Sequence, residues 1–233
     1  MTLLRTEGLT RDFDGLRAVD RVDFDLQDGE VRAVIGPNGA GKTTFVSLLS
    51  GRLAPSDGRV FFDGRDISRM PAHARVGLGI AYTFQITSIF SNLSLFDNIA
   101  LAVQKRRRGD VASVVHRVLE RIGLDERADQ QAGAQSYGHQ RLLEIGMGLA
   151  LEPKLLILDE PTQGLAEGEI EGFLTLIREI AGQMTILLIE HNMDVVMALA
   201  TRITVLDQGR VLADGTPGQI QSDTAVQAAY LGG

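Results

Sequence analysis

Residues 36 to 44 read Gly36-Pro37-Asn38-Gly39-Ala40-Gly41-Lys42-Thr43-Thr44, with four residues between Gly36 and the Gly41-Lys42 pair. These residue types at this spacing suit phosphate chemistry. Glycines let consecutive backbone N–H groups turn inward around an anion, and a following helix N-terminus adds partial positive charge. Lys42 would reach the β- and γ-phosphates, and the Thr43 hydroxyl would ligate Mg²⁺. Further along, Leu155 to Leu158 form an apolar run that delivers two carboxylates, Asp159 and Glu160. Asp159 would hold Mg²⁺ through water, while Glu160 would orient or deprotonate an attacking water. Another apolar run, Ile186 to Ile189, ends at Glu190-His191, where His191 would sense a γ-phosphate. Gln85, after Tyr82-Thr83-Phe84, could touch both metal-bound water and a moving segment. Taken singly, each feature has a bland reading as a glycine turn, an acidic strand cap or a structural histidine. Together they point to a nucleoside triphosphate.

The elements around these residues must bring them to one place. Val31 to Ile35 reads as a strand entering the loop, and Thr43 to Ser50 as a helix that stops at Gly51. Leu155–Leu158 and Ile186–Ile189 are apolar on both faces and are joined by a helix carrying Ile170, Phe173, Leu174, Ile177 and Ile180. Strand, crossover helix and strand of this kind imply a buried, mostly parallel sheet, whose carboxyl edge is where ligands sit. Residues 3 to 35 alternate apolar and polar in short strands broken at Asp14-Gly15 and Asp28-Gly29, and Val60 to Phe62 is a further strand ending at Asp63-Gly64. From about residue 89 to 150 the pattern is helical, with Asp110 as an N-cap ahead of Val111, Val114, Val115, Val118, Leu119 and Ile122. A hairpin turned at Asp207-Gln208-Gly209-Arg210 closes the pattern.

The 233 residues carry a net charge of −7, which argues against nucleic-acid binding through phosphate neutralisation. The absence of cysteine excludes disulfides and thiolate zinc sites. No signal peptide and no membrane-length apolar run are visible, so the expected location is cytoplasmic, with any membrane connection made through a partner.

The ordered set of the phosphate loop, Gln85, Ser136-Tyr137-Gly138-His139-Gln140, Asp159-Glu160 and His191 resembles the ATP-binding subunits of ABC transporters over essentially the whole chain. That resemblance implies an α/β P-loop NTPase core with a mostly parallel sheet, an N-terminal antiparallel β subdomain and an inserted helical subdomain at residues 88 to 150, all within one domain of 1–233. It implies ATP and Mg²⁺ as ligands, with Phe13 stacking on adenine and Thr43, Gln85 and Asp159 about the metal. Ser136 and Gly138 would belong to a signature motif that opens a helix from about Gln140 to Leu151 and meets the γ-phosphate on a second ATP-binding subunit. Implied partners are that second subunit, identical or similar, transmembrane permease subunits on the inner face of the membrane, and an extracytoplasmic solute-binding protein.

Finer features resemble the branched-chain amino acid importers: Tyr137-Gly138, Arg141 to Ile145, Leu188 to Met193 and the ending Ala229 to Gly232. Importers of urea and short amides share many of them, including a run like residues 143 to 147, and stand as the alternative. A soluble ABC-type ATPase acting on DNA or ribosomes is the remote one, since only one phosphate loop is present, with no heptad run. Departures from the family pattern are Gln135 for the leucine that opens the signature, His139 for its closing glutamine, and Ala166 where an aspartate is usual. The exposed apolar groups of Ile89 to Leu95 are the expected seat of a permease helix, and the basic run Lys105 to Arg108 is expected to be a solvated loop.

Overall fold

The computed structural model describes residues 1–83, 88–104 and 110–231. Strands β1 (Thr2–Phe13) and β2 (Leu16–Gln27) form an antiparallel hairpin. Its tight turn, Asp14-Gly15, places both residues at positive φ (38° and 96°), the geometry that matches the right-handed twist of the flanking strands. Along β2, Val22, Phe24 and Leu26 are buried while Asp23, Asp25 and Gln27 face water, the two-residue alternation of a sheet covered on one side. Helix α1 (Lys42–Ser50) follows strand β3 (Val31–Ile35). β4 (Asp57–Phe62) and β5 (Arg65–Asp66) then complete a four-stranded sheet in the order β2-β1-β4-β5.

After α2 (Ala72–Leu78) and β6 (Ile80–Thr83) comes a helical stretch. It comprises α3 (Leu95–Gln104), α4 (Val111–Arg121), two 3-10 turns and α5 (Tyr137–Leu149). The Asp110 side chain accepts from Ser113 N at 3.1 Å, the cap expected for α4. The remaining elements are β7 (Leu155–Asp159), α6 (Glu167–Ile180), β8 (Thr185–Ile189), α7 (Met193–Leu199), β9 (Arg202–Asp207), β10 (Arg210–Gly215), α8 (Pro217–Ser222) and α9 (Thr224–Leu231).

The second sheet runs β10-β9-β3-β8-β7-β6, parallel throughout except at the β9–β10 hairpin. Every residue of β3, β7 and β8 is buried, so both faces of this sheet are covered. Leu156, Leu158, Ile186 and Leu188 pack with α3 to α6, whereas Leu155, Ile157, Leu187 and Ile189 pack with α1 and the antiparallel sheet. The parallel sense puts the ends of β3, β6, β7 and β8 on one edge, where Asp159 lies opposite Ile189 and Thr83 opposite Leu158.

One local expectation is corrected. The helix assigned to about Gln140–Leu151 starts three residues earlier, at Tyr137, because Ser136 caps it, and it ends at Leu149. Gly138 lies in the first turn of that helix.

Candidate functional site

The phosphate loop connects β3 to α1, with Gly41 as the N-cap at φ 95°. Two of its glycines are demanded by close approach. A Cβ on Gly36 (φ 151°) would lie 2.1 Å from the carbonyl oxygen of Leu206, and one on Gly41 would lie 2.3 Å from that of Ala18. The loop is therefore wedged between β9 and the β1–β2 hairpin, and Gly209 N donates to Ala40 O at 3.0 Å from the β9–β10 turn. Asn38, Gly39 and Thr43 are exposed, and Pro37 and Thr44 are half-buried. Lys42 is buried and donates to the carbonyls of Gly36 (2.6 Å) and Pro37 (2.9 Å). Burial lowers its ammonium below the usual lysine range, opposed by the fields of Glu160 and Asp159. A desolvated cation beside backbone N–H groups is prepared for a polyanion.

Asp159 ends β7 with 1 % of its surface exposed. Desolvation raises its pKa, opposed by the Tyr82 hydroxyl, which donates to Oδ2 at 2.6 Å. Tyr82 in turn accepts from Arg52 Nη1 at 2.8 Å, so a chain Arg52–Tyr82–Asp159 fixes the carboxylate. Tyr82 is pushed above the usual phenol range, first by burial and then by Asp159. Glu160 adopts φ 47°, a left-handed conformation that is uncommon outside glycine, and its N–H donates to Ile189 O at 2.9 Å. His191 is exposed, with Nδ1 3.7 Å from Glu160 Oε1. The structure thus brings together Gly36 to Thr44, Asp159, Glu160 and His191 at the carboxyl edge of one sheet. Gln85 lies outside the described residues.

Like Tyr82, two further residues that hold this edge were not assigned roles from sequence. Glu190 is 1 % exposed and accepts from four donors: Thr162 N, Thr162 Oγ1, His191 N and Asn192 N. It ties the segment after Glu160 to the segment carrying His191. Arg141 of α5 reaches across from the helical stretch to the carbonyls of Asp159 and Glu160. The signal available in the sequence was a charged residue beside or inside an apolar run, which alone also describes a strand end or a solvated helix face.

Ser136 and Gly138 sit at the start of α5, the first exposed and the second buried. Ser136 Oγ accepts from His139 N at 3.2 Å and donates to Glu169 Oε1 at 3.3 Å. A Cβ on Gly138 would fall 2.1 Å from that same Oε1, so a larger residue there would push the Glu169 carboxylate aside. Phe13, at the end of β1, is 36 % exposed with the Arg11 guanidinium 4.5 Å from its ring centroid. Among the described residues no cluster of three or more acidic or histidine side chains could cage a cation alone. One buried carboxylate and one hydroxyl instead match a small hard ion that completes its shell with phosphate oxygens and water.

A family model described as ABC transporter matches residues 19–163 of this chain. The chain belongs to the ABC transporter family. It is the ATP-binding cassette, an ATPase, and a second model, described as branched-chain amino acid ATP-binding cassette transporter, matches residues 210–233. Among curated relatives, the high-affinity branched-chain amino acid transport ATP-binding protein BraF of Pseudomonas aeruginosa is 36% identical, covering 99% of this chain and 98% of that protein. LivG of Escherichia coli K12, with the same description, matches at 36% over the same shares. The lipopolysaccharide export system ATP-binding protein LptB of that organism is 33% identical over 100% of this chain and 98% of its own length. Of solved structures, a cassette of an ABC transporter in its ADP conformation superposes with TM-score 0.89 at 29% identity, covering 100% of both chains. The mostly parallel sheet expected from the strand and helix pattern, within the ABC ATPase fold that the resemblance implied, is the one found.

Proposed function

We propose that this chain is the ATP-hydrolysing subunit of an importer of branched-chain or other hydrophobic amino acids. The convergence of Lys42, Asp159, Glu160 and His191 on one sheet edge carries the ATPase part of this reading. The match at residues 210–233 and the full-length likeness to BraF and LivG support the cargo. Gly36 to Thr44 cradle the phosphates, Phe13 stacks on adenine, Lys42 neutralises the β- and γ-phosphates, and Thr43, Asp159 and Gln85 hold Mg²⁺ directly or through water. When bound, Mg²⁺ polarises the phosphoryl oxygens and offsets the charge that develops on them. Glu160 accepts the proton of the attacking water, and His191 donates a hydrogen bond to the γ-phosphate.

Ser136 and Gly138 complete the site of a second ATP-binding subunit, so that two chains enclose two nucleotides, and closing and reopening drive the permease subunits. Residues 88 to 150 form the helical subdomain. The permease docks at Ile89 to Leu95, where Phe90 is 54% exposed; contrary to expectation, Leu95 is buried in the core and Ile89 and Leu93 are only half-exposed. Asn98 pins that segment, accepting from Phe90 N at 2.8 Å and donating to Phe90 O at 3.1 Å and Ser94 O at 2.8 Å. Among the described residues no helix is long and apolar enough to cross a membrane. The chain sits peripherally, on the inner face with its permease, opposite a solute-binding protein. Affinity purification from native membranes tests this. Two permease subunits and a receptor that binds leucine-like amino acids are expected; a urea-binding receptor would move the cargo, and no membrane protein at all would remove the transport reading.

A further inference from the structure

Arg141 has the most constrained side chain of α5. Its guanidinium is 1 % exposed, and its charge is matched by Glu144 Oε2 at 2.7 Å. The remaining donors point away from their own helix. They reach three consecutive carbonyls at the end of β7 and beyond it: Asp159 O at 2.7 Å, Glu160 O at 3.0 Å and Pro161 O at 3.2 Å. A buried ion pair alone would not need this fork; the fork fixes backbone. Glu160 is the residue fixed most tightly. Its N–H is held by Ile189 O, its C=O accepts from Arg141 at 3.0 Å and from Gln163 N at 3.2 Å, and its left-handed φ persists only where surroundings over-determine it. Releasing the carbonyls would let the 159–161 peptides turn and swing the Glu160 carboxylate. Arg141 also lies only five residues after Ser136, the cap of the same helix, about 7.5 Å along its axis.

We propose that Arg141 is a positioning residue for hydrolysis. It sets the backbone of Glu160 and joins it rigidly to the N-terminus of α5, so that a phosphate engaged at Ser136 is felt at the water-activating carboxylate of this chain's own site. This rests on the reading of Glu160 as the hydrolytic carboxylate and of Ser136 as a contact to the neighbouring subunit's nucleotide.

The test is Arg141→Lys in the assembled transporter, which keeps the charge beside Glu144 and loses the fork. Turnover at saturating ATP should fall about 10- to 100-fold, the usual consequence of a misplacement near 1 Å. The Kd for a fluorescent ATP analogue should stay within about twofold, and any Hill coefficient above one should fall toward one. A purely structural role would lower Tm and leave turnover per folded molecule intact, and that result overturns the proposal. A second measurement needs no change at Arg141. Amide exchange of residues 159, 160 and 162 should slow on adding ATP, and Ser136→Arg, at an exposed position, should abolish the slowing; an undiminished slowing in that variant also overturns it. Glu160→Gln separates the two layers: if it hydrolyses normally, the proposed function is wrong, whereas inert Glu160→Gln beside fully active Arg141→Lys refutes only this inference.

Discussion

Replacing Glu190 by glutamine changes one atom in a buried cluster, and the hydrogen-bond geometry determines the cost. Oε1 accepts from Thr162 N at 3.0 Å and from the Thr162 hydroxyl, and Oε2 accepts from His191 N at 3.0 Å and Asn192 N at 3.1 Å. A carboxylate can satisfy all four, being acceptor only. An amide has one oxygen: turned toward His191 and Asn192 it leaves Thr162 N facing an N–H group while the Thr162 hydroxyl rotates to accept, and turned the other way it leaves both the His191 and Asn192 N–H groups without an acceptor. Charge-assisted bonds contribute about 1.5–3 kcal/mol each, and with partial relaxation the net loss is about 3 kcal/mol. For a chain of this size that lowers Tm by roughly 6–12 °C. Urea unfolding reads it directly, as a lower midpoint with unchanged slope. Thr162→Val removes one hydroxyl donor and serves as the internal scale, at about 1 kcal/mol. A loss below about 0.5 kcal/mol for Glu190→Gln would refute the reasoning, because it would mean that these donors find other acceptors at little cost.

Arg75 offers a second stability test. Its buried guanidinium donates to Leu48 O (2.8 Å), Leu49 O (2.7 Å), Ile67 O (2.7 Å) and Met70 O (2.9 Å), and burial lowers its pKa to about 10. Arg75→Met removes the donor to these four carbonyls, two of which, Leu48 and Leu49, lie at the C-terminal end of α1, and a loss of about 3 kcal/mol is expected by urea denaturation. The pH dependence of stability should change in Asp20→Asn. Arg210 first, and then Arg17, hold the Asp20 carboxylate below its ordinary value of 3.8. A lowered carboxylate pKa adds stability that is present above 3.8 and lost as pH falls through the folded value. The variant should therefore be less stable than the parent at neutral pH, with the difference closing in acid, as melting curves across pH would show.

The architecture was legible in the sequence where a pattern repeats over several residues. β7 and β8 read as doubly covered strands because four consecutive residues of each are apolar, and the turns at Asp14-Gly15 and Gln208-Gly209 followed from residues that tolerate positive φ. The phosphate loop was legible for a related reason, since its chemistry uses backbone groups whose placement depends on glycine spacing. Arg141, Glu190 and Tyr82 were not, because each acts on a partner distant in sequence: Tyr82 meets Asp159 across 77 positions, and Glu190 meets Thr162 across 28. The start of α5 was placed three residues late because Ser136 and Gly138 were read as a signature motif ahead of the helix, whereas Ser136 is its N-cap. The close approach of Gly138 to the Glu169 carboxylate was likewise hidden, because only tertiary packing creates it.

Hydrolysis in this mechanism depends on one chain's Glu160 activating water for an ATP enclosed between two subunits. Glu160→Gln, purified and mixed with ATP and Mg²⁺, tests that dependence in one sample by size-exclusion chromatography and phosphate release. ATP binding is expected to persist, a dimer to appear only with ATP, and hydrolysis to fall by at least about 100-fold. Hydrolysis at the unmodified rate, with no ATP-dependent dimer, would contradict it.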